Sequence, residues 1–352
     1  MLSAPVDHIA AQVASAKRFG LENDFFDFRP PPIRRPDYDY THGTKLAAGT
    51  DGAWGWGRLA GSLPACRFED PSLDAPRPCA STIVEIGQLI FTPERDSRKP
   101  VPGQRPYAGW LYGTLAARAE TRHRLRTMSF TAGIAGPASL GGATHAGFHH
   151  LKPHARIPLG WSHQIPNELA GSAGYSDTRL ALDLRRPHAV AGHGRIADLV
   201  ADWGLQLGTV RTSATVGTRA RLGWNVSHPW RDAPPGRAAW EIYALSGLRG
   251  EWVGRDLFLD GSTFGQSARV DRIPLVGQLE VGAGVRAWRL ALEYRLITLG
   301  QQYRTGPQSH PYGVISASWL RPARTAAVLA GRNRAPATTR GVAKPAAPAA
   351  GQ

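Results

Sequence analysis

The sequence predicts an all-β protein, a single antiparallel transmembrane β-barrel of outer-membrane type with about twelve strands, on three observations. The first is composition. Gly 40 and Trp 11, with 42% apolar and only 20% charged residues, suit a glycine- and aromatic-rich β protein better than a helical one. The second is the absence of any run near the roughly 18 uninterrupted apolar residues of a spanning helix, which excludes a helical membrane protein. The third is a period of two in the hydrophobic pattern, the spacing at which side chains of a strand return to one face.

The alternation is clearest in three windows. Met128, Phe130, Ala132 and Ile134 alternate with Thr127, Ser129 and Thr131. Ala220, Leu222 and Trp224 alternate with Arg219, Arg221 and Asn225. Trp288, Leu290, Leu292, Tyr294 and Leu296 share a face opposite Arg289, Glu293 and Arg295, sets that a helix would scramble. A soluble sandwich also alternates. Strands of about ten residues, aromatics near strand ends (Trp110, Tyr112, Trp224, Trp319) and charges on the second face favour the barrel, whose outer face meets lipid.

Taken in order, the pattern gives strands near 20–26, 40–49, 81–91, 107–119, 123–136, 170–184, 197–209, 212–226, 238–255, 274–285, 286–300 and 311–320, an even number. Two connections are long: 27–39, rich in Pro and Asp, and 137–168, rich in Gly and His. The expected domain is therefore 20–320, preceded by a segment 1–19. Residues 321–352, an Ala/Pro/Arg tail, are too poor in large apolar side chains to pack and are expected to be disordered. Met1 to Gly20 lacks a basic stretch followed by an apolar core, so no export signal is visible; the expectation is that a leader is missing from this version of the chain.

The formal charge of +15 is mostly arginine spread along the whole chain. It fits nucleic acid and anionic lipid alike, since arginine forks bind phosphate at two points. No helix-turn-helix, zinc-finger or RNA-binding signature accompanies it. Cys66 and Cys79 lie in a Pro- and Asp-dense segment, and a loop-closing disulfide, implying an oxidising compartment, is expected over two idle thiols.

Polar residues gather where strands should end. Asn23 and Asp24 close the first strand; Tyr40, Thr41, His42 and Gly43 open the second, with Asp37 and Asp39 between. Such oxygens at one rim suit a hard cation such as Ca²⁺, or simply cap turns. In THAGFHHLKPH (144–154), His145 and His149 are four apart and would pair on zinc if helical, but Gly141, Gly142 and Gly147 argue for irregular loop. A histidine there would serve as general base, oriented by Gln164, Asn167 or Glu168, or the loop is simply solvated. With no G-x-S-x-G elbow, H-E-x-x-H or P-loop present, a hydrolase of this sequence would use water as nucleophile.

Together ENDFF (22–26), DYTHG (39–43), GQLIFTP (87–93), RPYAGWLYGTL (105–115), AGIAGPASLG (132–141), GWSHQIPNE (160–168) and RTGPQSHPYGVISASW (304–319) resemble the outer-membrane lipid A 3′-O-deacylase family. The resemblance implies a twelve-stranded barrel in a Gram-negative outer membrane. It implies Ca²⁺-dependent hydrolysis of the 3′-acyloxyacyl ester of lipid A in lipopolysaccharide. Carried over by motif, His149 is the base, while Asn23, Asp24 and Thr41 order the site, Asp24 and Thr41 as metal ligands. Arg98 or Lys99 stabilises the oxyanion, and His145 stands where the family commonly has Gln. His145, Gln164, Glu168 and Tyr107 are the expected substrate-side residues, and the chain is expected to act as a monomer without nucleic acid. The competing readings are a non-catalytic barrel, porin-like or structural, that keeps this scaffold, and a soluble basic β protein binding nucleic acid. By strand parity the loops 27–39, 92–106 and 137–168 share one rim, with Cys66 and Cys79 on the other.

Overall fold

A computed structural model describes residues 16–23, 26, 39–52, 63, 66, 78–151, 158–187, 194–230 and 240–320. Twelve strands form a closed barrel: β1 (Ala16–Asn23), β2 (Asp39–Asp51), β3 (Cys79–Thr92), β4 (Ala108–Glu120), β5 (Arg124–Ala135), β6 (Glu168–Arg185), β7 (Arg195–Gly208), β8 (Arg211–Trp224), β9 (Glu241–Asp256), β10 (Leu275–Ala287), β11 (Leu290–Gly300) and β12 (Ser309–Leu320). Each pairs antiparallel with its neighbours in sequence, and β1 closes on β12 from Ala16↔Leu320 to Asn23↔Gly313. A helix, α1 (Gly141–Leu151), stands in the β5–β6 connection, and a single turn, α2 (Leu257–Asp260), follows β9. Among the described residues no helix is long and apolar enough to cross a membrane.

The side chains are sorted inside out relative to a water-soluble protein. Leu46, Ile86, Phe130, Val216, Leu248 and Leu292 are exposed on the outer wall. The inner face carries charge in pairs: Lys45 with Glu22 at 2.6 Å, Arg221 with Asp198 at 2.6 Å, and Arg286 with Glu241 at 2.9 Å. An unpaired charge there would be costly, and these inward cations answer carboxylates. Many of the arginines behind the +15 charge are thus structural. An apolar outside fits only a lipid surround, which removes the soluble nucleic-acid reading.

Two expectations shift. The first strand spans Ala16–Asn23 rather than 20–26: Arg18, before the expected start, points into the lumen as Glu22 does, each as an ion-pair partner. Trp288, read as part of a strand face, instead occupies the β10–β11 turn with φ 53°. The segment before residue 16 and the tail after residue 320 lie outside the described residues.

The rim that receives both ends of the barrel carries the 121–123 and 288–289 turns and the connections 52–78 and 225–240. Cys66 and Cys79 form a disulfide at this rim. Trp230 is fully buried across its mouth, donating Nε1–H to the Thr121 carbonyl at 2.9 Å and accepting from Arg118 at 3.3 Å. The other rim carries the connections 24–38, 93–107, 136–167, 257–274 and 301–308.

Candidate active site

A bulge at the start of β2 sets the geometry. Tyr40 pairs with Phe91 and His42 with Ile90, leaving Thr41 as the extra residue. Tyr40 turns into the core beside Tyr312 and donates its hydroxyl to Glu22. Thr41 sits 2.6 Å from the hydroxyl of Thr92, and His42 lies opposite Asn23 of β1 on the outward row. The Asn23 amide is 3.1 Å from Nδ1 of His42, and Nε2 of the ring is 2.8 Å from the Thr44 hydroxyl. With the amide donating to Nδ1, the ring proton resides on Nε2 and is given to Thr44.

The Gly- and His-rich segment is helical, contrary to the loop its glycines suggest. Gly141 serves close approach rather than flexibility: a Cβ there would stand 2.8 Å from Gly109 Cα of the barrel wall. Gly109 pairs with Ile90 on the outward row, and Gln88, also outward, donates to the Ser139 carbonyl at 2.7 Å. So α1 lies on the outside of the barrel, over β3 and β4 at the loop-bearing rim.

The spacing i, i+3, i+4 puts His145, Phe148 and His149 on one face of α1. Phe148 packs on His42 with 4.3 Å between ring centres. His149 meets His145 edge to face at 4.5 Å, and His145 Nδ1 accepts from Trp161 Nε1 at 3.2 Å. Trp161 in turn packs on Tyr107 at 5.1 Å. His145 Nδ1 is occupied by the Trp161 N–H and is not offered to a zinc. Among the described residues the one cluster of three candidate ligands is Cys66, Cys79 and Glu120, whose cysteines are oxidised.

The remaining expected residues divide. Asp24 lies outside the described residues, as do Asp37 and the side chain of Asp39. Arg98 and Lys99 are exposed on the 93–107 connection; Lys99 lines a small cavity with Arg105, Tyr107, Gly160 and His163. Tyr107 donates its hydroxyl to Asp96 at 2.7 Å, anchoring the loop rather than reaching outward. Gln164 donates to the Trp161 carbonyl at 3.0 Å. Glu168 starts β6 and is buried, accepting from Ser262 at 2.7 Å and the Thr263 amide at 2.8 Å; it does not orient His149. Asn167 accepts from the Ala138 amide at 2.8 Å.

Three residues to which the sequence reading gave no role complete the site: His42, Phe148 and Trp161. His42 stands inside DYTHG and Trp161 inside GWSHQ, so the motifs marked the places but not the contacts. For a cation, Asn23, Thr41 and Thr92 present amide and hydroxyl oxygens, the donor class of Ca²⁺, and the carboxylate such a dication prefers follows Asn23 in the chain as Asp24. The donor set fits.

A twelve-stranded barrel, apolar outside and ion-paired inside, with a histidine-bearing helix laid on its outer wall, defines an integral outer-membrane protein whose site faces lipid. The model of the family described as Outer membrane protein LpxR matches residues 1–320, and the chain belongs to that family. Among solved structures, LpxR from Salmonella typhimurium is 17% identical with a TM-score of 0.68, covering 87% of this chain and 100% of that one. The β domain of the Bordetella autotransporter BrkA is 11% identical at TM-score 0.42, covering 87% of this chain and 97% of its own. No curated protein sequence matches. Membership places the protein in the outer membrane and, in class, among lipid A deacylases, with lipopolysaccharide as the substrate class.

Proposed function

We propose that the protein, acting as a monomer, hydrolyses the 3′-acyloxyacyl ester of lipid A in the cleft between α1 and the outer barrel wall, with His149 as general base. The observation that carries this reading is that His149 and the Asn23–His42–Thr41 group are gathered on the lipid side of the barrel rather than in its lumen. The disulfide rim belongs to the oxidising periplasm, and longer loops belong to the outer surface. That orientation sets α1 at the outer leaflet, where lipid A resides.

In this reading His149 takes a proton from water as the water oxygen bonds to the ester carbonyl carbon. The tetrahedral oxyanion then collapses, the bond from the carbonyl carbon to the sugar oxygen breaks, and the proton passes from His149 to the departing alkoxide. Asn23, Asp24 and Thr41 would hold Ca²⁺, which supplies positive charge against the oxyanion when bound. Arg98 or Lys99 supplies a further positive charge from the 93–107 connection. His145, held by Trp161, orients His149 rather than touching substrate.

The test is mass spectrometry of purified lipid A incubated with wild type and His149→Ala in detergent with Ca²⁺. Wild type releases the acyloxyacyl mass, and the variant falls by about 10²–10⁴-fold. Undiminished release by His149→Ala sinks the assignment of the base, and no release by wild type favours the non-catalytic barrel.

A further inference from the structure

On the lipid-facing wall of β5 and β6, far from α1, the geometry points to a binding site for the phosphodiester headgroup of an anionic phospholipid in the periplasmic leaflet. Arg126 pairs directly with Asp177 across these strands, and Arg124 with Arg179. Both rungs are in step with the Met128–Tyr175 rung, whose Met128 is exposed on the outer wall. Asp177 is nonetheless 0% exposed, because three guanidinium groups cover it.

The three arginines are used unequally. Arg124 grips the carboxylate through Nε, 2.8 Å from Oδ2, and through Nη2. Arg126 and Arg179 come nearest to it with Nε, at 3.6 and 3.4 Å, and their side chains remain 50% and 64% exposed. One carboxylate thus answers three cations. The cluster keeps a net charge of +2 and leaves the terminal nitrogens of two guanidinium forks for another anion.

Such charge is not tolerated at the midplane, where a lipid-facing arginine costs roughly 2–4 kcal/mol, but costs about 0–1 kcal/mol near an interface. Two features put the row at an interface. Arg124 directly follows the 121–123 turn, on the rim that carries the disulfide and both barrel ends. Trp203 of β7 lies opposite Asp177, half-exposed, with its ring 5.5 Å from that of Tyr175, as in an aromatic girdle. The anions at that level are phospholipid phosphates, and a guanidinium fork matches a phosphate at two points. Asp177 aligns the arginines so that their spare nitrogens are held ready rather than searching for a partner. This inference does not rest on the deacylase reading, since α1 sits at the opposite rim over β3 and β4.

Native mass spectrometry of the detergent-released protein, titrated with phosphatidylglycerol or phosphatidylcholine, tests it. The expected result is a retained phosphatidylglycerol that excess inorganic phosphate does not displace, with phosphatidylcholine held at least about tenfold more weakly. Arg126→Gln/Arg179→Gln should weaken phosphatidylglycerol by about tenfold or more, while Arg304→Gln at the other rim leaves it unchanged. Arg126→Lys/Arg179→Lys keeps the charge but loses the forks and should fall between; it also carries the test if the glutamine pair does not fold. Equal retention of phosphatidylcholine, displacement by inorganic phosphate, or wild-type affinity in the variants that fold would overturn the proposal.

Discussion

The side-chain amide of Asn23 lies 3.1 Å from Nδ1 of His42, and the same imidazole packs on Phe148 at 4.3 Å between ring centres. One ring therefore joins the end of β1 to the helix that carries His149. Through it, Asn23 is tied to the helix face that carries His149, the base of the proposed reaction.

His42→Ala removes both contacts at once. Its expected effect is a fall of about 10–100-fold in lipid A deacylation, the range typical of a residue that orients ligands without reacting. The Ca²⁺ concentration for half-maximal activity should rise in parallel, because Asn23 loses its anchor. Deacylation followed by mass spectrometry across a Ca²⁺ titration checks both, and an unchanged Ca²⁺ dependence would separate His42 from the cation.

Gly109→Val tests whether α1 must lie against the wall. A Cβ at this position would stand 2.2 Å from Ser139 Oγ and 2.9 Å from Gly141 Cα, so the helix has to move away. A displacement of about 1 Å costs on the order of 10²-fold in rate when groups must be aligned. The barrel itself should survive, read as unchanged heat-modifiable migration on gels. Full activity in a folded Gly109→Val would mean that the chemistry does not use the helix.

The barrel was legible because a strand repeats every two residues. The windows at Met128–Ile134 and Leu290–Leu296 therefore declare an outward apolar face without knowledge of any partner. The exception was β1, expected at 20–26 and found at Ala16–Asn23: its inward charges Arg18 and Glu22 are answered by Glu293, remote in sequence, and by Lys45 of the next strand. For α1 the glycines misled. Glycine lowers helix propensity locally, yet Gly141 is required by an approach to Gly109 that lies more than thirty residues away in the chain. The i, i+4 relation of His145 and His149 was visible. The part of His42 was not, because it depends on the bulge at Thr41, which leaves Tyr40 facing the lumen and turns His42 to the outer wall.

The Cys66–Cys79 disulfide closes a loop of 13 residues at the rim opposite α1. Cys66→Ser/Cys79→Ser is expected to lower stability by about 3 kcal/mol in the chain-entropy view while leaving deacylation at low temperature within about twofold of wild type. Thermal unfolding in detergent, with and without reductant, provides the comparison. A matching loss of activity at temperatures where the variant remains folded would contradict the separation of the two rims.

Glu168 and Trp161 sit seven residues apart and make opposite predictions. Glu168 is buried at the start of β6 and is engaged with Ser262 and Thr263 of the 257–274 connection. Glu168→Ala orphans that hydroxyl and amide at a cost of about 1–3 kcal/mol, and should increase proteolytic nicking of the connection without altering the pH profile of kcat. Trp161→Phe keeps a ring against Tyr107 but removes the N–H that His145 accepts at 3.2 Å. Released from that donor, His145 can adopt the other tautomer and no longer presents a fixed edge to His149. The expected outcome is a fall of about tenfold in kcat with KM nearly unchanged and a displaced pH profile, since the neighbour that fixes both the orientation and the electrostatic setting of the proposed base has been altered. If Glu168→Ala moved the pH profile and Trp161→Phe did not, the base would be oriented from inside the barrel, and the line of rings outside it would be packing alone.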